Sequence, residues 1–241
     1  MRVFCSNLTF FKDFLGKSGY NRVRNRVVLV RKAEPLLFEA TVRGYLGVSQ
    51  WEKYNNGGRS CEVTLASGLR ESDKLSEPLY SPSIKAEYGE HDENISFEDS
   101  IVLSSRELAE QVRDISLRLY TFAAEYALER GIIIADTKFK FGLIDGELVL
   151  IDELLTPDSS HFRAVNGYEP GRSQPSFEKQ YVIDYLESVG WDRNHPAPEL
   201  PAEIVQKTVG KYCEIYERLT GCKCFPSDKM AHVESFLPYV L

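Results

Sequence analysis

The sequence predicts an α+β fold: a mixed or antiparallel sheet flanked by helices. Three observations carry this. Residues 131–160, GIIIADTKFKFGLIDGELVLIDELLTPDSS, read as two strands joined by a tight turn. Two earlier stretches, 27–30 and 38–45, have the β-branched or alternating character of strands. Three later stretches, 106–130, 177–190 and 201–221, repeat apolar residues at helical spacing. A sheet containing the 131–160 hairpin, backed by the 106–130 helix and followed by a C-terminal helical layer, satisfies all three.

Taken in order, residues 1–26 combine an aromatic patch with a Gly/Ser/Asn-rich basic stretch, which suits a short helix and a loop. Val27 to Val30 is a compact β-branched run, and Phe38 to Tyr45 alternates as a second strand. Gly47 to Tyr54 reads as a loop or short helix, and 55–60 as a polar turn. Pro78 and Pro82 hold the next stretch extended. Ser96 with Asp99, and Ser104 with Glu107, have capping-box spacing. From Arg106 to Arg130, Leu108, Val112, Ile115, Leu119 and Phe122 mark one helical face, and Gly131 is a natural terminator. Asp145-Gly146 marks the hairpin turn. A three-residue loop, Ile144 to Gly146, is expected, because it sets Lys138, Lys140 and Asp152 on one face. Residues 161–176 read as loop, 191–201 as a proline-rich connector and 222–241 as an irregular tail.

Composition narrows the function. The chain has 241 residues and is 43% hydrophobic, enough for a sizeable core. A net charge of −7 argues against a nucleic-acid binder that relies on general electrostatics. No apolar run of roughly 18 residues occurs, so no membrane span is expected. The N-terminus lacks the apolar core and small-residue site of a signal peptide. Five irregularly spaced cysteines, with Cys222 and Cys224 as one C-x-C, complete no zinc set. Free thiols in a cytoplasmic protein are the expectation.

The chemistry concentrates in the hairpin. Apolar strand residues are interleaved with Asp136, Lys138 and Lys140, and then with Asp152, Glu153 and Asp158. Lysines and carboxylates at strand ends suit an anion- and metal-handling site. A half-buried hairpin with a solvated polar face is the commoner meaning of such alternation. Arg43 at a strand end, followed by Gly44 and Ser49, can hold a phosphate, although a surface arginine before a turn is the plainer reading. The acidic stretch around His91 could bind a metal or be a solvated loop.

Several blocks, in order, are familiar. VRGYL (42–46), EPLYSPSIKAEYGEHDENIS (77–96), IIIADTKFKFG (132–142) and LIDELLTPDSS (150–160) strongly resemble the SAICAR synthetase family, as does YEPGRSQPSFEKQYVIDYLESVGW (168–191). The resemblance runs from about Val27 to Gly221. It implies an ATP-dependent ligase of purine biosynthesis, joining L-aspartate to carboxyaminoimidazole ribonucleotide (CAIR), with ATP and Mg2+ as cofactors. Matched to the family's motifs, Asp152 is the magnesium ligand and, with Lys138, the catalytic pair. Lys85 and Glu87 contact the nucleotide. Arg43, Ser49, Asp136, Asp158 and His161 face the substrate. The implied partners are small molecules, with neither nucleic acid nor membrane, and a homo-oligomer is compatible with them.

The departures from the family pattern are specific. The family's β-rich N-terminal lobe, with its GKVRD-like and ATDRISAFD-like elements, finds no match here, so the sheet face it covers is expected to be open, with an apolar patch near 27–45 and a wide cleft. The glutamate of DTKFEFG, a second magnesium ligand in the family, is Lys140, and the arginine of DSSRFW is His161. Val48 and Gln50 replace the glycines of GSGW, and Glu52-Lys53 inverts KE. Two functional readings follow: an ATP-dependent ligase, or a homologue acting as a nucleotide-binding or interaction domain.

Overall fold

The computed structural model describes residues 3–5, 8–23, 29–57, 59–60, 63–84, 93–172, 174, 180–192 and 196–224. Strand β1 (Val3–Cys5) and helix α1 (Leu8–Val23), broken at Gly16, precede β2 (Leu29–Val30), which pairs with β1. Next come β3 (Glu34–Pro35), β4 (Glu39–Tyr45) and α2 (Val48–Gly57). A small ribbon, β5 (Arg59–Ser60) with β6 (Val63–Thr64), leads to β7 (Lys74–Ile84) and β8 (Glu93–Asn94). Then follow α3 (Phe97–Val102), α4 (Arg106–Leu128), β9 (Ile132–Ile144), β10 (Glu147–Ile151), β11 (Ser160–Ala164), α5 (Gln180–Ser188) and α6 (Ala202–Thr220).

Seven strands form the main sheet in the order β10-β9-β4-β7-β8, with β3 and β11 also pairing with β9. Every pairing in it is antiparallel. The α+β expectation holds, with its antiparallel form realised. One sheet face is covered by α4, whose Val112, Tyr120, Ala123 and Ala127 meet Phe38, Ala40 and Val42 of β4 and its lead-in and Ile132, Ile134, Phe139 and Phe141 of β9. Helix α6 adds Ile215 to this core, and Tyr126 of α4 donates its hydroxyl to the Leu219 carbonyl at 2.8 Å. Helix α6 therefore packs as the periodicity implied, and α5 lies against α6.

β9 changes face partway along. Ile132 and Ile134 point to the core, yet so do Phe139 and Phe141, which have the opposite parity. A register shift against β11 explains it: His161 opposes Asp136 while Phe162 opposes Ile134, so Ala135 is the extra residue of a β-bulge. The bulge turns Asp136, Lys138 and Lys140 to the face away from α4.

Four expectations need correction. The hairpin loop has two residues, since Glu147 pairs with Ile144. Asp145 and Gly146 are both left-handed (φ 53° and 81°), the pair of conformations a type I′ turn requires, and this turn matches strand twist without a bulge. The 106–128 helix is capped by Ser105, which accepts from the Leu108 amide at 3.2 Å. Ser104 is occupied elsewhere, donating to the Ser100 carbonyl at 2.8 Å; the box at Ser96 and Asp99 forms as expected. Residues 160–164, mostly read as loop, are strand β11: five residues are too few for periodicity to register, and Phe162 is fully buried only because β9 offers an edge. Finally, β4 lies between β7 and β9 with its first four residues buried, so no apolar patch opens along β4, while residues 27–28 and the Leu29 side chain lie outside the described residues. Leu37 and Val30 are exposed singly.

Candidate active site

The sheet face away from α4 is the floor of a polar cleft of about 680 Å³. Strand alternation dictates its lining. On β4, Phe38, Ala40 and Val42 go to the core, so Glu39, Thr41 and Arg43 go to the cleft. On β9, beyond the bulge, Asp136, Lys138 and Lys140 do the same. The register sets Arg43 opposite Asp136 and Thr41 opposite Lys138. Continued one step, it sets Glu39 opposite Lys140.

These neighbours form a continuous charge network. Glu39, with its side chain 8% exposed, binds Lys138 Nζ through Oε2 at 2.8 Å and Lys140 Nζ through Oε1 at 3.4 Å. Lys140 Nζ also donates to Asp152 Oδ2 at 2.5 Å. Asp136 accepts from His161 Nδ1 at 2.8 Å and pairs with Arg43 Nη1 at 3.8 Å. Burial pushes the Asp136 pKa up, but His161, Arg43 and Arg163 outweigh it and hold the carboxyl below the usual range. Burial likewise works against the Lys140 ammonium, and its bonds to Asp152 and Glu39 more than restore it, leaving its pKa raised.

The third wall is the segment 152–159. β10 and β11 pair with the same edge of β9, ending at Lys140 and resuming at Thr137, so the chain between them leaves the sheet beside the cleft. Thr156 and Ser159 bind each other's backbone amides at 3.2 Å, and the Lys138 amide donates to the Ser159 carbonyl at 3.0 Å. The segment brings Asp152, Glu153 and Asp158 to the cleft. Burial and then the neighbouring Asp152 and Asp158 charges raise the Glu153 pKa.

Asp152 reaches Lys140 by a route the sequence did not suggest. In the two-residue register, Asp152 continued as strand would oppose Phe139 and face the core. Its backbone instead turns left-handed (φ 62°), a conformation aspartate tolerates better than most residues, and this returns the carboxylate to the cleft. The expected juxtaposition of Lys138, Lys140 and Asp152 holds for a different reason.

Six sequence-derived candidates, Arg43, Asp136, Lys138, Asp152, Asp158 and His161, thus line one cleft. Ser49 lies in the first turn of α2, but its side chain is outside the described residues, as are Lys85, Glu87 and most of the acidic stretch around His91. Sequence reasoning missed Glu39, although an acidic residue alternating with core positions in a predicted strand was its signal. It also missed Ser83; Asn94, the end of the 89–94 stretch that the resemblance places beside the substrates, buried Gln50, noted only as a glycine replacement, and Lys53 also line the cleft. Magnesium fits poorly as a protein-held ion. Asp152 Oδ2 and Glu39 Oε1 both engage Lys140, and among the described residues no three His, Cys, Asp or Glu side chains group to hold a metal.

Similarity to known proteins agrees with this arrangement. The SAICAR synthetase family model matches residues 6–198. The phosphoribosylaminoimidazole-succinocarboxamide synthase of Pelobacter propionicus is 54% identical over 199 residues, spanning 83% of this chain and 67% of that protein. That of Geobacter sulfurreducens is 53% identical over 200 residues, spanning 83% and 68%. The solved SAICAR synthase of Saccharomyces cerevisiae, complexed with SAICAR, superposes with a TM-score of 0.82 at 36% identity, covering 92% of this chain and 74% of that one. With a family model matched over most of its length, and relatives more than half identical to it, the chain belongs to the SAICAR synthetase family.

Proposed function

We propose that this chain catalyses the ATP-dependent ligation of L-aspartate to CAIR, giving SAICAR, ADP and phosphate. The observation that carries the proposal is the clustering of Arg43, Lys138 and Lys140 with Asp136, Asp152 and Asp158 on one cleft of a family member. A carboxylate is a poor electrophile. The γ-phosphoryl of ATP passes to a CAIR carboxylate oxygen, giving an acyl phosphate and ADP. The amine nitrogen of L-aspartate then attacks the carbonyl carbon and loses a proton, and phosphate leaves as its C–O bond breaks. Both ATP and CAIR are anionic, so such a site needs fixed cations more than it needs covalent chemistry.

We assign Lys138 to the phosphoryl group in transfer. Glu39 holds its ammonium on the cleft floor, which reduces the reorganisation needed when the anion arrives. Arg43, Asp136 and His161 form one charge-linked unit, assigned with Ser49 and Asp158 to CAIR. Lys85 and Glu87 are assigned to the nucleotide on the sequence match. The sequence match gives Asp152 to magnesium, but its contact with Lys140 does not fit that role, and magnesium enters only as part of the MgATP substrate. The unit that does this is taken as 27–221, and its soluble substrates suit the cytoplasm; no described helix is long and apolar enough to cross a membrane.

The test is ADP and SAICAR formation by the purified chain given ATP, CAIR and L-aspartate. ADP release that requires all three substrates, and falls on Lys138→Ala, is the expected result. Nucleotide binding without turnover would favour the binding-domain reading instead.

A further inference from the structure

Two carboxylates from different segments reach the cleft floor: Glu39 on β4 and Asp152 just past β10. Oxygen-only donors beside an anion site are what a hard divalent cation takes. In this chain a side chain stands between them. Lys140 Nζ is 2.5 Å from Asp152 Oδ2 and 3.4 Å from Glu39 Oε1.

The placement is built into the sheet. Phe139 and Phe141 are 0% and 3% exposed on the core face, so the register of β9 cannot slip without expelling them, and Lys140 must emerge on the cleft floor. Glu39 is held by the same logic between Phe38 and Ala40. Asp152 reaches across through its left-handed backbone, a conformation needed for this contact and not for strand pairing. Magnesium bound by both carboxylates would need oxygens at about 2.0–2.1 Å, a space the ammonium already fills.

We propose that Lys140 is a built-in cation that replaces a divalent ion between Glu39 and Asp152, and presents fixed positive charge to a phosphate group entering the cleft. The inference rests on the cleft being the anion site proposed above. It separates from the ligase reading because its test contains neither substrates nor turnover.

The test is a titration of the purified full chain with Mn2+ alone, as a spectroscopic stand-in for magnesium, following free Mn2+ by electron paramagnetic resonance. Wild type should show no Mn2+ site that depends on Asp152. Lys140→Glu should gain one site, at least about tenfold tighter, because a cation about 4 Å from a dication is exchanged for an anion. Adding Asp152→Asn to that variant should abolish the gain. Lys140→Gln, which removes the charge with a polar side chain one atom shorter, should show a smaller gain and carries the test if the glutamate variant fails to fold. Wild type that binds one Mn2+ and loses it on Asp152→Asn would overturn the proposal, as would no gain in either Lys140 variant. For the anion, inorganic pyrophosphate should bind Lys140→Gln more weakly than wild type, and equal binding would remove the phosphate half of the claim.

Discussion

Replacing Asp136 by asparagine removes one negative charge from a site where three cationic groups converge. The carboxylate is 13% exposed and Arg43 14%, so neither is well solvated. The asparagine carbonyl can still accept from His161, which limits the loss on that side. Arg43 is the exposed flank: its Nη1 loses its partner at 3.8 Å, and its buried Nε has no hydrogen-bond partner already. Breaking a buried pair by removing one member costs about 3–5 kcal/mol. The long Arg43–Asp136 distance and the retained His161 contact reduce this to roughly 2 kcal/mol, or about 4–8 °C in Tm for a chain of this size. The pH dependence sharpens the test. The folded Asp136 pKa is depressed, so its contribution is full above the unfolded aspartate value of about 3.9 and is lost as pH falls through the folded value. Urea denaturation of both proteins between pH 7 and pH 3 should show a gap that is constant down to about pH 4 and closes below it. Equal stability at pH 7, or a gap unchanged at pH 3, would refute the assignment of Asp136 as a charge held by its neighbours.

Two further substitutions probe the frame around the cleft. A Cβ at Gly44 would collide with the Tyr120 hydroxyl, which donates to the Ile134 carbonyl at 2.6 Å. Gly44→Ala should therefore lose about 2–4 kcal/mol from overpacking and the displaced hydrogen bond, and Tyr120→Phe in the same chain should recover part of it by removing the colliding atom; no recovery in a thermal melt would place the strain elsewhere. Ser96→Ala removes the side-chain arm of the capping box at the start of α3 and leaves the Ser96 amide bonded to Asp99, and about 1 kcal/mol of stability should go with it, read as a shift in urea midpoint at unchanged slope.

The legible parts of the fold were those with long periods. The 106–128 helix, the hairpin and the last helix repeat their apolar residues often enough for the pattern to stand out against chance. β11 is five residues long and exists as strand because β9 has an edge for it, which is a fact about distant residues. The capping serine was misplaced by one because Ser104 and Ser105 are chemically equivalent, and the preceding helix claims Ser104. Most candidate site residues were found from motif matches, while Glu39 lay unmarked inside an alternating strand.

The sequence by itself determined the α+β class, the hairpin with its Asp-Gly turn, the family, and the identity of most charged groups in the cleft. These depend on local pattern and on ordered blocks of residues, and both survive without coordinates. Tertiary structure decided the geometry among those groups. The bulge at Ala135 chose the face on which Asp136, Lys138 and Lys140 emerge, and strand pairing set Glu39 beside the lysines. The left-handed backbone at Asp152 turned a carboxylate that strand alternation would have buried toward the core back to Lys140. Each is a one-residue matter of register or dihedral angle. Because side chains alternate faces with a period of two, one residue is enough to move a charge from one side of the sheet to the other.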